Sequence, residues 1–401
     1  MRRVLFVDDE PRVLEGLQRL LRSRRHDWQM AFALGGEAAL AELETAPFDV
    51  VVSDMRMPGM DGAALLKQVQ ARYPNVARIV LSGYTDREAL LRAVPVAHQF
   101  LTKPCESEDL QATVERACSL QDLLNDEVLR GLVGEMGELP SSPRVLSELL
   151  TALEDQDVPI AELAKIVERD VAMCAKCLQL VNSAFFGLPR RESNVQRAIG
   201  LLGTNMLRSL AFSIGAFRAF PAGSSPLGFS LERLECHSLL TAKLAARLVP
   251  ASQAEEVFMA AMLHDIGNLI LAARLPHKFA PILEQSAREG RPAYAVEEEV
   301  LGVSHAEIGA YLLGLWGLPH MIVEAVAHHH MPSRIQPGRF DMVAAVHVAK
   351  SLVDELQPVW GEDVTGANAH IDEEWLEALG VLDRLPNWRA AAQDVRAAMR
   401  T

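Results

Sequence analysis

Asp8, Asp9, Asp54, Ser82 and Lys103 are residue types that phosphoryl chemistry uses, and they recur at intervals that a repeating fold could gather at one end of itself. Clustered carboxylates hold Mg²⁺, a hard ion that keeps several waters and bridges carboxylates to a phosphoryl group. Asp54 is then the nucleophile, accepting a phosphoryl group as an acyl phosphate. The Lys103 ammonium neutralises charge in the same pocket, and the Ser82 hydroxyl can donate to a phosphoryl oxygen. Phe100, two residues beyond His98, is an aromatic that could repack when Ser82 moves. Taken singly, an aspartate after a strand is a turn residue or a helix cap, the serine is a turn residue and the phenylalanine is core. Only their order along the chain argues otherwise.

The elements that must position these groups are legible as alternating patterns. Short apolar runs at Val4–Val7, Trp28–Phe32, Phe48–Ser53, Arg78–Leu81 and His98–Leu101 predict strands. Between them Val13, Leu14, Leu17, Leu20 and Leu21 recur at three-and-four spacing, and Ala63–Arg72 predicts another helix. This alternation predicts an α/β doubly wound fold, a five-stranded parallel sheet covered on both faces. Such sheets bind ligands at the carboxyl ends of their strands, which is where Asp8, Asp54, Ser82 and Lys103 fall. A last helix is expected to start near Glu106 and run on through Leu124 and Val128 to about Arg130 as a connector. After Leu139-Pro140-Ser141-Ser142-Pro143 the strand signals vanish, and the remainder reads as an all-α region with loops at Pro221–Pro226 and Pro332–Gly338.

The ordered set Asp8-Asp9, Asp54-Met55-Arg56-Met57-Pro58-Gly59-Met60-Asp61-Gly62, Ser82-Gly83-Tyr84 and Phe100-Leu101-Thr102-Lys103-Pro104 resembles the receiver domain of two-component response regulators. The resemblance covers the first ~120 residues, close to the size of one domain. It implies Mg²⁺ at Asp8, Asp9 and Asp54, phosphorylation of Asp54 by a sensor histidine kinase, and a switch through Ser82 and Phe100.

Downstream, Ala161–Asp170, Leu178–Gly187 and Gln196–Gly203, with Leu139–Pro143 before them, resemble the HDOD family, and the likeness extends through His264-Asp265-Ile266-Gly267 to about residue 335. Within it His237, His264-Asp265, His305 and the run His328-His329-His330 supply the ligand types of a divalent transition metal. Their order is also similar to the HD-GYP phosphodiesterases, which hydrolyse cyclic di-GMP at such a site, with His237, His264, Asp265, His305 and His329 as the implied metal ligands. Three departures count against turnover. Asn268 follows Gly267 where that pattern has lysine, Met331-Pro332-Ser333-Arg334 replaces its Gly-Tyr-Pro element, and its last carboxylate aligns with Lys350. An ammonium has no lone pair to give a metal. Lys350 is therefore expected to pair with Asp265 in place of a metal, with His347 and Asp354 one turn to either side as conceivable substitute ligands. The expected organisation is a receiver over 1–120, a helical linker over 121–137, the HDOD domain over 138–335 and a helical extension over 336–401. The reading favours a non-catalytic output domain acting on a downstream protein over a phosphorylation-gated, metal-dependent phosphodiesterase, and it leaves a homodimer open.

Other features narrow the class. Hydrophobic residues make up 49% and charged residues 23% of the 401-residue chain, as expected of domains that bury cores. Residues 1–120 hold 15 Lys/Arg against 17 Asp/Glu and the rest 24 against 36, so the acidic second part argues against binding a phosphate backbone. No apolar run reaches the ~18 residues that would span a bilayer, and Asp8-Asp9-Glu10 interrupt the basic start, so Val4–Val7 reads as a strand and not a signal peptide. Five cysteines suggest no disulfide framework and point to a reducing cytoplasm. Cys174 and Cys177 form a C-x-x-C without a second pair, and zinc usually needs four ligands. Trp375 and Trp388, with Ile371, Leu376 and Leu379, are expected to close the end of the helical bundle.

Overall fold

The structure, a computed structural model, describes all residues except 84–90, 121–123, 125, 138, 156, 184–187, 189–190, 213–216, 220–228, 336–338, 357–370 and 400–401. The expected loop at Pro221–Pro226, Tyr84 and the end of the Leu178–Gly187 motif lie outside the described residues.

Five strands form the parallel sheet: β1 (Arg2–Asp8), β2 (Trp28–Leu34), β3 (Val50–Asp54), β4 (Ala77–Gly83) and β5 (Gln99–Lys103), in the order β2-β1-β3-β4-β5. The Val-rich centre of the sheet is dry on both faces, as helix-covered parallel strands require; β3 is buried along its whole length. The strand order reverses between β1 and β3, so their carboxyl ends, Asp8 and Asp54, flank the crevice where such sheets take ligands. Gly62 opens the helix Gly62–Arg72 directly against the main chain of Asp54, where any Cβ would collide.

The connector is broken where the periodicity predicted one helix from Glu106 to Arg130. One helix spans Ser107–Leu120, and a second spans Glu127–Gly134. Asp126 is the cause: its backbone is extended, and its carboxylate accepts from the N–H groups of Val128 at 2.7 Å and Leu129 at 3.1 Å, an N-cap that starts a helix instead of continuing one. The strand signals also do not vanish entirely. Leu139–Ser141 (β6) pairs in parallel with Phe217–Ala219 (β7).

The rest is helical. Leu231–Leu248, Ala254–Leu263, His320–His328 and Met342–Leu356 form the centre of the bundle, and the C-terminal Leu385–Ala398 packs against the first and last of these. Trp375, Leu376, Trp388 and Ile371 are buried at that end, as their spacing predicted. Ala254–Arg274 is the one stretch among the described residues long and apolar enough to cross a membrane, but 83% of its window is buried inside the fold. Cys174 and Cys177 are buried in Val171–Val181, and burial pushes the Cys177 thiol up to about 12. That is the behaviour of inert core thiols.

Asp170 ties β6 to this helix. Its carboxylate caps Met173 N at 2.8 Å, accepts from Ser142 N at 2.8 Å and takes the Ser141 hydroxyl, all fully buried. Asp170→Ala leaves these donors in a dry interior, where each unmade bond costs about 1–3 kcal/mol. Loss of about 3 kcal/mol is expected in urea unfolding followed by helical circular dichroism; a loss below about 1 kcal/mol would contradict the capping account.

Candidate functional sites: an acidic pocket and a buried histidine cage

The first site is built by strand ends. Asp8 ends β1, Asp54 ends β3, and Lys103 ends β5 on the far side of β4. Lys103 Nζ lies 2.6 Å from Asp8 Oδ2 and also pairs with Asp54 Oδ1, so one ammonium bridges both carboxylates. Their remaining oxygens are held by main chain: Glu10 N donates to Asp8 Oδ1 at 2.9 Å and Arg56 N to Asp54 Oδ2 at 2.8 Å. Burial holds the Asp54 carboxyl above its ordinary value, only partly offset by Lys103, and Asp8 pushes the same way. Burial would lower the Lys103 ammonium, but Asp54 and Asp8 together raise it. Asp9 is half-buried beside them, and Ser82 is buried at the end of β4, in register with Thr102. Phe100 is in the core, in register with Val80, two residues before Ser82. The sequence-predicted set is thus brought to one end of the sheet, with Phe100 beneath it.

The second site is a cage around Asp265, at the corner between Ala254–Leu263 and Ile266–Arg274. Four imidazoles from different elements face its carboxylate. His264 Nε2 stands 3.3 Å and His237 Nδ1 3.6 Å from Oδ2, while His305 Nε2 stands 3.2 Å and His329 Nε2 3.7 Å from Oδ1. The far nitrogen of each ring is anchored. His264 Nδ1 meets Ala261 O at 2.6 Å, His329 Nδ1 meets Val326 O at 2.7 Å, His305 Nδ1 meets Glu297 Oε2 at 2.7 Å and His237 Nε2 meets Asp354 Oδ1 at 2.9 Å. A carbonyl only accepts, so Nδ1 of His264 and His329 carries the proton and Nε2 carries the lone pair. His237 has the mirror arrangement.

His237 Nδ1, His264 Nε2 and His329 Nε2 are buried and make no hydrogen bond. Three ring nitrogens without a hydrogen bond therefore converge on a carboxylate whose cationic partner is His305: burial would lower that imidazolium, but Glu297 and Asp265 hold it up to about 10. Burial and the neighbouring His264 hold His329 well below the ordinary imidazole range, so a proton does not readily serve there. Burial would raise Asp265, but His264 and His305 outweigh it and keep the carboxylate ionised. Donor atoms of Asp265, His305, His329 and His330 lie within 4.8 Å of one another, as do those of His237, His264 and Asp265. Outward N–H bonds that fix each tautomer are the usual support of metal-binding histidines. The donor set fits a divalent transition metal.

Lys350 does not reach Asp265. Its ammonium pairs with Asp354 Oδ2 at 2.7 Å, one turn along Met342–Leu356, an i,i+4 pair that forms within a single helix. Asp265 faces imidazoles instead. His347 is likewise turned away, with Nδ1 on His329 O at 2.8 Å, so of the two substitutes considered Asp354 alone meets the cage. Ser304 and Glu307 form the capping box that starts the helix at His305. Glu297 and Tyr294, which stacks on His330 at 4.2 Å, were not in the expected set; His330, expected only as part of the His328–His330 run, has its Nε2 2.9 Å from His305 Nε2.

A doubly wound parallel sheet with an acidic pocket at its switch point, continued by a largely helical domain, defines a regulatory protein of two parts. Residues 4–115 match the response regulator receiver domain family and residues 139–332 the HDOD domain family. The chain carries both domains, the architecture of a two-component response regulator. It is similar to an uncharacterized protein of Treponema pallidum, 26% identical over 54% of this chain and 40% of that protein. It is also similar to the hydrogenase transcriptional regulatory protein HoxA of Cupriavidus necator, 34% identical over 42% of this chain and 33% of that one. The chain thus spans about a third to two-fifths of the length of these relatives. Among solved structures, a virulence factor from Campylobacter jejuni shares the fold, with a TM-score of 0.53 at 20% identity over 67% of this chain and 97% of that one.

Proposed function

We propose that Asp54 accepts a phosphoryl group from a sensor histidine kinase, and that its phosphorylation controls how the HDOD domain engages a downstream protein. The observation that carries this reading is Lys103, bridging Asp8 and Asp54 across the crevice between β1 and β3. Asp8, Asp9 and Asp54 would hold Mg²⁺, which supplies charge neutralisation at the transferring phosphoryl group. Lys103 then shares the same task, and Ser82 donates to a phosphoryl oxygen as it forms. Because β4 and β5 connect this end of the sheet to the helical domain, repacking at Ser82 and Phe100 has a route outward.

Incubation with a small-molecule phosphoryl donor such as acetyl phosphate tests the first half. Intact mass should rise by one phosphoryl group with Mg²⁺ present and stay unchanged in chelator. Uptake independent of the metal would overturn the pocket assignment.

A second reading rests on the convergence of lone pairs on Asp265. His237, His264, Asp265, His305, His329 and His330 would hold a divalent metal, which supplies Lewis acidity for hydrolysis of a phosphodiester such as cyclic di-GMP. Asn268, Lys350 and the absent Gly-Tyr-Pro element weigh against turnover, so a metal that stabilises the bundle is the better match to these residues.

A further inference from the structure

The segment Val94–His98 is a turn that leads into β5, and its five consecutive carbonyls all accept hydrogen bonds from side chains. Val94 O takes Lys176 Nζ at 3.1 Å, Pro95 O takes Gln70 Nε2 at 3.3 Å and Val96 O takes Arg78 Nε at 2.6 Å. Ala97 O and His98 O share Gln179 Nε2, at 3.4 and 3.2 Å. Lys176 and Gln179 belong to the HDOD helix Val171–Val181, and both are about 1% exposed. Lys176 Nζ also donates to Gly137 O at 2.8 Å and lies 4.8 Å over the Trp316 ring. Behind the segment, Arg78 and His98 both reach Gly134 O, and Gly134 and Gly137 sit against the main chain of Pro74 and Pro95 with no room for a Cβ.

We propose that Lys176 and Gln179 form a main-chain latch by which the HDOD domain grips the receiver, and that release of Val94–His98 from this helix is the event that phosphorylation controls. The joint is suited to release. Arg78 and Lys176 are basic side chains taken out of water, and the carbonyls of Val94, Val96, Gly134 and Gly137 are among the partners that hold them, so the desolvation penalty offsets part of what these hydrogen bonds contribute. Separation rehydrates both. The gripped segment continues directly into Phe100 and Lys103 on β5, and Arg78 is the second residue of β4, which carries Ser82 next to its last residue. A small shift of these two strands at the acidic pocket therefore displaces the five carbonyls together. Opening would expose Lys176, Gln179 and the Trp316 ring as a surface able to bind extended main chain.

Only the cause of release rests on the phosphorylation reading; the latch itself does not. The full chain carrying Lys176→Glu and Gln179→Glu tests it, because carboxylates cannot donate to carbonyls and would be tolerated only when open to water. In small-angle scattering the unphosphorylated variant should have a larger radius of gyration than the wild type, and amides of 94–98 should exchange at least tenfold faster. A folded variant that stays compact with wild-type exchange overturns the latch. If that variant fails to fold, Gly137→Val, a wedge against the main chain of Pro95, must open the joint instead, and a compact Gly137→Val chain overturns the latch equally. Wild type treated with beryllofluoride and Mg²⁺ separates the two readings: a variant that opens while the treated wild type stays closed keeps the latch and removes its control by Asp54.

Discussion

Asp54→Asn should abolish phosphoryl uptake while leaving the receiver folded. The substitution keeps the shape of the side chain and its acceptor oxygen for Arg56 N, a bond of 2.8 Å in the wild type. It removes the nucleophilic carboxylate and one of the two anions bridged by Lys103. An amide cannot form an acyl phosphate, so the rate should fall by at least about three orders of magnitude, the scale on which loss of a covalent nucleophile is felt. Intact mass after incubation with acetyl phosphate and Mg²⁺ reads this directly. Undiminished uptake would mean that the phosphoryl group goes elsewhere, and the role given to Lys103 would go with it.

The second large effect is expected at Asp265. If a cation belongs among the lone pairs of His237, His264 and His329, then Mn²⁺, Fe²⁺ or Zn²⁺ should raise the melting temperature. An excess of about 1,000-fold over Kd corresponds to about 4 kcal/mol of added stability. Asp265→Asn should erase that metal-dependent rise, because it removes the one carboxylate that all four rings face. In chelator the same variant should be less stable than the wild type, since removing the carboxylate leaves the buried His305 imidazolium without one of its two anionic partners. A wild type indifferent to every metal tested, or a variant that responds equally, would contradict the cage as a metal centre.

The parallel sheet was legible because each β-strand is a short apolar run, and on β1, β3, β4 and β5 that run gives way at or next to its carboxyl end to Asp8, Asp54, Ser82 and Lys103, which make the pocket. Asp126 shows where the pattern misleads. The apolar spacing of Leu110, Val114, Leu124 and Val128 suits one long helix, but a carboxylate that can capture two backbone N–H groups starts a new one. The short β6–β7 pair brings together segments far apart in the chain, and three residues give no alternation to read. In the cage, the histidines were found from their order. Glu297 was missed because it stands in a run of three glutamates, where only the fold distinguishes the one that is fully buried and bonded to His305. Lys350 was assigned the wrong carboxylate because alignment places a residue on a helix without saying which way its side chain turns, and an acid one turn away was nearer than Asp265.

The state of Asp54 should govern the helical domain. Hydrogen exchange of the full chain, with and without beryllofluoride and Mg²⁺, tests it most directly. Protection should change in the Val94–His98 segment and along Val171–Val181, whose Lys176 and Gln179 hold it, and the Asp54→Asn chain should show no change. Identical protection in these two stretches, with the pocket demonstrably occupied, would leave receiver and HDOD domain as independent units and contradict the account.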